Sequence, residues 1–83
     1  MIYEIEFKPR SIRDIEACSP EVARRIIGKI DAMREDLSGD VKRLTKHVPE
    51  YRLRVGDYRV LFEVEGARVI VYRVKHRRDA YRS

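Results

Sequence analysis

Two runs of alternating apolar and charged residues, parted by Gly56-Asp57, constrain this chain more than any other feature in it. Tyr51, Leu53 and Val55 alternate with Arg52 and Arg54, and Tyr58, Val60, Phe62 and Val64 alternate in the same way after the break. Successive side chains of a strand point to opposite faces and Gly-Asp suits a two-residue turn, so the pattern predicts a β-hairpin. With Gly56 and Asp57 as the loop, Val55 pairs with Tyr58, Arg54 lies directly opposite Arg59, and Arg52 stands two residues along on the same face. One face is apolar and the other gathers three guanidinium groups. Like charges set opposite each other weaken a sheet, so the arrangement points to an anion that these groups hold. The plainer alternative is a solvated, edge-protecting face.

The rest of the chain supplies what the apolar face needs. Tyr3, Ile5 and Phe7 alternate with Glu4 and Glu6 and read as a strand ended by Pro9. Ile12 and Ile15 indicate a short helix from about Pro9 to Ala17. Ser19-Pro20-Glu21 is a helix start, combining a capping oxygen, a proline suited to the first turn and an acid at the positive end of the dipole. Val22, Ile26, Ile30, Met33 and Leu37 then keep helical spacing until Ser38-Gly39-Asp40. Residues 41 to 50 show no period and read as a loop tethered by Leu44, with Lys42, Arg43 and Lys46 exposed. After Gly66, the run Val69 to Val74 is apolar on both faces, as in a covered central strand. The expected fold is α+β in the order β-α-α-β-β-β: an antiparallel sheet, a helical hairpin on one face, and a short basic C-terminal tail.

The chain of 83 residues has room for one domain, residues 1–83. Its charge is uneven: residues 1–41 hold 7 Lys+Arg against 9 Asp+Glu, and residues 42–83 hold 12 against 5. The second half is therefore the candidate phosphate-binding half. Cys18 has no partner for an internal disulfide and the charged opening is unlike a signal peptide, so a cytoplasmic location is expected. No apolar run approaches the roughly 20 residues of a membrane helix.

Arginine suits the cationic face because its planar fork holds phosphate oxygens bidentately and stacks on bases. The tail residues Lys75, His76, Arg77, Arg78, Tyr81 and Arg82 add cations, an imidazole and a phenol that are expected to fold back over the sheet. His47 and His76 lack further ligands at metal spacing, so no metal is expected. Cys18 reads as a small core or turn residue. No phosphate-cradling glycine loop and no Ser/His/Asp set are present.

The segment Tyr51-Arg52-Leu53-Arg54-Val55-Gly56-Asp57-Tyr58-Arg59-Val60, followed by a valine-rich strand and His76-Arg77-Arg78-Asp79-Ala80-Tyr81, resembles a RelE-type toxin of the RelE/ParE superfamily. The resemblance extends over nearly the whole chain. It implies a toxin of a type II toxin–antitoxin pair, an endoribonuclease (mRNA interferase) that cuts messenger RNA in the ribosomal A site, with no metal and no cofactor. In that chemistry the 2′-hydroxyl attacks the adjacent phosphate, and a cyclic phosphate and a 5′-hydroxyl result. Carried over, Arg52 and Arg54 match two basic positions that usually include lysine, Arg59 matches the arginine after the turn tyrosine, and Arg77 and Tyr81 match the late arginine and tyrosine.

Arginine in place of lysine leaves the proton acceptor open, because a guanidinium is a good anion clamp and a poor base. His76 is one candidate for that role, and Tyr81 for stacking on a base or orienting the attacking group. Lys42, Arg43, Lys46, Lys75, Arg78 and Arg82 are the expected RNA contacts. The implied partners are a RelB-like antitoxin, the ribosome and mRNA, with the toxin alone a monomer. Two other readings remain open at this point: a ParE-like inhibitor of DNA gyrase that performs no chemistry, and a ribosome- or RNA-binding module with weak catalysis.

Overall fold

The computed structural model describes residues 1–80. Its elements in chain order are β1 (Glu4–Phe7), α1 (Pro9–Glu16), α2 (Pro20–Ala32), β2 (Asp40–Arg43), β3 (Tyr51–Val55), β4 (Tyr58–Glu65) and β5 (Arg68–His76). The strands form one sheet in the order β1-β5-β4-β3-β2. The β3–β4 hairpin has the expected register, with Val55 opposite Tyr58 and Arg54 opposite Arg59. Gly56 takes a φ of 56° at the turn, where a residue with a Cβ is strained, and a Cβ built there falls 2.6 Å from Arg25 Nη2.

Both helices lie against the same face of the sheet. Ile15 of α1 and Ile26 and Ile30 of α2 pack with Leu53, Val55, Val60, Phe62, Val69, Val71 and Val74 in one core, and Tyr3, Ile5 and Phe7 close its edge. Ser19 Oγ accepts from Val22 N at 3.4 Å and Pro20 opens the helix, as the capping signature requires. The covered strand foreseen after Gly66 is β5, which runs between β1 and β4 and buries Val69, Ile70, Val71 and Val74. Among the described residues, no helix is long and apolar enough to cross a membrane.

Three expectations are corrected. The sheet is mixed, because β1 pairs parallel with β5 while the other pairs are antiparallel. The stretch read as a loop from residue 41 begins as an edge strand, β2, antiparallel to β3. Helix α2 stops at Ala32, one turn short of the apolar spacing that continues to Leu37. Asp36 and Leu37 take φ values of 53° and 57°, and the unwound chain pairs instead with the first residues. Ile2 bridges Glu35, Tyr3 N donates to Arg34 O at 2.8 Å, and the Met1 ammonium meets the Asp36 carboxylate.

Gly28 lies inside α2, is exposed, and a Cβ there would touch nothing within 4 Å. Gly28→Ala should therefore stabilise the fold by about 0.5–1 kcal/mol, through helix propensity and a less flexible unfolded chain. Thermal unfolding will show this as a midpoint raised by roughly 2–8 °C for a domain of this size. An unchanged or lowered midpoint would mean that the backbone at Gly28 is not the regular helix seen here.

Candidate functional site

The sheet face away from the helical core is organised as two rows of paired residues across four strands. One row runs Asp40, Arg54, Arg59, Lys75 and the next runs Lys42, Arg52, Leu61, Arg73, from β2 through β5. Period-two alternation puts the cations on one side, and the two-residue turn fixes which of them meet. A register shift between Leu61 and Phe62 lets β5 carry one extra residue there, so Arg73 and Lys75 still fall opposite Leu61 and Arg59.

These cations do not all stay available. Arg73 turns to α1, where its Nε lies 2.8 Å from Asp14 Oδ2 and its Nη2 3.2 Å from Oδ1. That hydrogen bonding raises the Arg73 pKa still further above its ordinary value; burial opposes the rise, and the Asp14 charge adds to it. Arg52 Nη1 reaches Asp40, donating to the backbone carbonyl at 2.7 Å and to Oδ1 at 3.1 Å. Arg54 is exposed, and among the described residues no carboxylate is ion-paired with it or with Arg59. Arg59 is fixed differently, because its Nη1 donates to Gly56 O at 3.0 Å and Tyr58 O at 2.9 Å. Those neutral acceptors orient the guanidinium without cancelling its charge.

Over this face, residues 44–50 form a loop closed by Leu44 N donating to Glu50 O at 2.6 Å. Between loop and sheet lies a cleft of about 400 Å³ lined by Lys42, Leu44, Thr45, His47, Arg52, Arg54 and Arg59. Four cations and an imidazole thus share one concave surface, a setting suited to a phosphodiester. The sequence alone does not mark His47 as a site residue, since its spacing from other ligand-type residues speaks only against a metal site. No local signal marks it, because it enters the cleft through the path of the loop.

Of the other expected contacts, Lys42 lines the cleft and Lys75 stands in the Arg54–Arg59 row. Arg43 instead turns to Glu50 at 2.8 Å and, with Lys46, borders an adjoining cleft. Arg77 sits at the hairpin turn, its backbone N–H on Asp57 O at 2.7 Å and its Nε 3.9 Å from Asp57 Oδ1. Arg78 is exposed, and its N–H donates to His76 Nδ1 at 3.3 Å. Tyr81 and Arg82 lie outside the described residues.

His76 is not brought to the arginines. It is registered opposite Tyr58, on the core-side face, and meets that ring edge-on with centroids 5.6 Å apart. Lys75, one residue earlier, occupies the row of Arg59, and a single step along a strand reverses the face. The expectation of His76 as the base beside the arginines is corrected by this register.

The family model described as the ParE toxin of the type II toxin–antitoxin system parDE matches residues 5–81. Toxin RelE3 of Methanocaldococcus jannaschii is 30% identical, the match covering 94% of each chain. The structure of the RelB–RelE antitoxin–toxin complex from Methanococcus jannaschii superposes with a TM-score of 0.75 at 29% identity, covering 92% of this chain and 94% of that one. The chromosomal ParDE system of P. aeruginosa shares the fold at a TM-score of 0.67 and 13% identity, covering 90% of this chain and 96% of that one.

Proposed function

The chain belongs to the RelE/ParE superfamily of type II toxin–antitoxin toxins, and from that premise we propose that it is a RelE-like endoribonuclease that cleaves mRNA in the ribosomal A site. The observation that carries this reading is the Arg54–Arg59 pair, opposite in register and not offset by a carboxylate among the described residues. Two like charges held side by side destabilise the protein alone. A phosphate between them converts that repulsion into two charge-assisted hydrogen-bonding forks.

In this reading the 2′-hydroxyl attacks the adjacent phosphorus and the 5′-oxygen leaves. Negative charge builds on the non-bridging oxygens as the bond forms, and donors already in place there lower the barrier more than they stabilise the bound substrate. Arg59 and Arg54 hold those oxygens, Arg52 and Lys42 hold the flanking backbone, and the ribosome fixes the strand in the attacking geometry. Tyr81 is assigned to base stacking or to orienting the attacking group, and Arg77, Lys75, Arg78 and Arg82 to outer phosphate contacts. A RelB-like antitoxin is the assigned partner, and the cytoplasm the assigned location.

The matching family model carries the name of the ParE branch, so a second reading is an inhibitor of DNA gyrase without chemistry of its own. The paired arginines favour the first, since a purely protein-binding toxin has no use for an open phosphate clamp. Primer extension on cellular mRNA after controlled expression separates the two. Site-specific new 5′ ends within translated regions are the expected result. Intact mRNA together with blocked supercoiling would select the gyrase reading.

A further inference from the structure

The β3–β4 turn gathers a second group of cations at the end of the sheet, outside the cleft. Arg25 reaches it from α2, with Nη2 2.6 Å from the position that a Cβ on Gly56 would take. Arg59 reaches it from the opposite face, its Nη1 on Gly56 O at 3.0 Å. Arg77 arrives just past β5, its N–H on Asp57 O at 2.7 Å and its Nε 3.9 Å from Asp57 Oδ1. Three guanidinium groups from three parts of the chain thus meet at two residues, with Asp57 the one carboxylate ion-paired there among the described residues.

Arg25 is the informative member of the group. It is exposed, and among the described residues it makes no hydrogen bond and no ion pair. Glu21 stands one helical turn earlier, in the order that favours an i,i+4 pair, yet the guanidinium lies over the turn instead. All five of its N–H donors are left for an outside acceptor. Gly56 permits this approach, since any side chain there would occupy the space of Nη2. Between α2 and the hairpin, a hollow of about 140 Å³ lined by Val22, Arg25, Ile26, Val55, Asp57 and Tyr58 leaves room for a small anionic group.

With only Gly56 between them, Arg25 Nη2 and Arg59 Nη1 lie within about 9 Å of each other, a gap that neighbouring phosphates of one RNA strand bridge. Resting on the ribonuclease reading above, we infer that the hairpin turn is a second phosphate site, where Arg25 and Arg77 hold the messenger RNA phosphate next to the one clamped by Arg54 and Arg59. The strand leaves the cleft around the end of the sheet, over Gly56 and Asp57, toward α2. Charge attraction and charge-assisted hydrogen bonds hold it there, and the Asp57 carboxylate opposes them. Arg25 touches no reacting atom, so its contribution is to hold the strand.

Single-turnover cleavage on programmed ribosomes, with toxin concentration varied, tests the site. Arg25→Ala should raise the concentration for half-maximal rate by about fivefold at 0.1 M salt and flatten the log–log salt dependence by about 0.7, the effect of one phosphate contact on a single strand. Asp57→Asn keeps a turn-forming side chain and removes the opposing charge. It should shift the same concentration the other way, a gain that damage to the fold cannot produce. Messenger RNA carrying a neutral methylphosphonate, placed in turn at each of the two linkages on either side of the scissile one, identifies the phosphate. At one of these positions wild type and Arg25→Ala should become equal. An unchanged half-maximal concentration in Arg25→Ala would overturn the site, as would an Asp57→Asn that binds no more tightly than wild type. So would an Arg25→Ala deficit that persists at every neutral linkage, which would set Arg25 against ribosomal RNA. A wild-type protein that leaves translated mRNA whole would bring down the ribonuclease reading itself, a result obtained before any variant is compared.

Discussion

Arg59→Ala will slow mRNA cleavage by about a hundredfold to a thousandfold, the usual consequence of removing one preorganised donor to a transition-state oxyanion, about 3–4 kcal/mol. The geometry explains why this arginine should matter most. Both hydrogens of Nη1 are taken by Gly56 O and Tyr58 O, which fixes the plane of the guanidinium and leaves Nε–H and the Nη2 hydrogens for a phosphate. Little ordering is then needed at the moment of reaction. Arg54 is exposed and must be ordered by substrate, and Arg52 is partly offset by Asp40, so the losses should fall in the order Arg59, Arg54, Arg52. The fold should survive. Two partly exposed hydrogen bonds contribute about 1 kcal/mol each at most, and relief of the repulsion with Arg54 offsets part of that. Single-turnover cleavage and urea unfolding on the same preparation check both halves of the statement. A folded variant that cuts at the wild-type rate removes Arg59 from the site.

The hairpin and its arginine face were legible because two independent rules agree there. Alternation assigns each residue to a face, and the two-residue turn assigns its partner. Elsewhere only one rule operated. Leu37 keeps helical spacing with Met33 because both pack against the core, and its N–H still reaches Met33 O at 3.1 Å, yet Asp36 and Leu37 have turned to positive φ; the apolar spacing recorded burial and a closing turn, not a continuing helix. Strand β2 escaped notice since, of its four residues, only Val41 is even half-buried, and an edge strand with charged neighbours has the composition of a loop. The parallel pairing of β1 with β5 joins distant parts of the chain, and alternation carries no information about strand direction.

At the site the same division holds. His76 was assigned by proximity in sequence, whereas the facing of a strand residue is decided by a single step, and here Lys75 took the arginine side. The bulge at Leu61/Phe62 shifts β5 by one residue against β4, so counting alternate residues from Val69 does not give the facing of its last residues. His47 depends on a loop closed by contacts to Glu50 O and Pro49 O, and loop paths of this kind have no period to read.

Asp14→Ala is expected to be the most destabilising single substitution on the surface of the domain, at roughly 2–4 kcal/mol. Strand β1 ends at Phe7, and Lys8 N makes the last contact along that edge, to Val71 O at 2.8 Å. Beyond it no strand among the described residues pairs with that edge of β5, and the Asp14 carboxylate from α1 takes the place a strand would fill. Oδ2 accepts from Val74 N at 2.9 Å and from Arg73 Nε at 2.8 Å, while Oδ1 takes Arg73 Nη2 at 3.2 Å. With side chains only 18% and 26% exposed, the pair is screened less than a surface ion pair. Alanine would strand a half-buried guanidinium and a strand N–H together. Because the Arg73 pKa is raised above an already alkaline value, its part in this stabilisation is present through the physiological range and lost only in strong alkali. The converse change, Arg73→Met, should cost clearly less, since Asp14 keeps its bond to Val74 N and the methionine stem covers the same surface. Urea unfolding of the two variants gives the comparison, and cleavage per folded molecule should stay near wild type in both, as neither residue lines the arginine cleft. Equal losses for Asp14→Ala and Arg73→Met would mean that the ion pair, and not the capping of the open strand edge, is what the carboxylate provides.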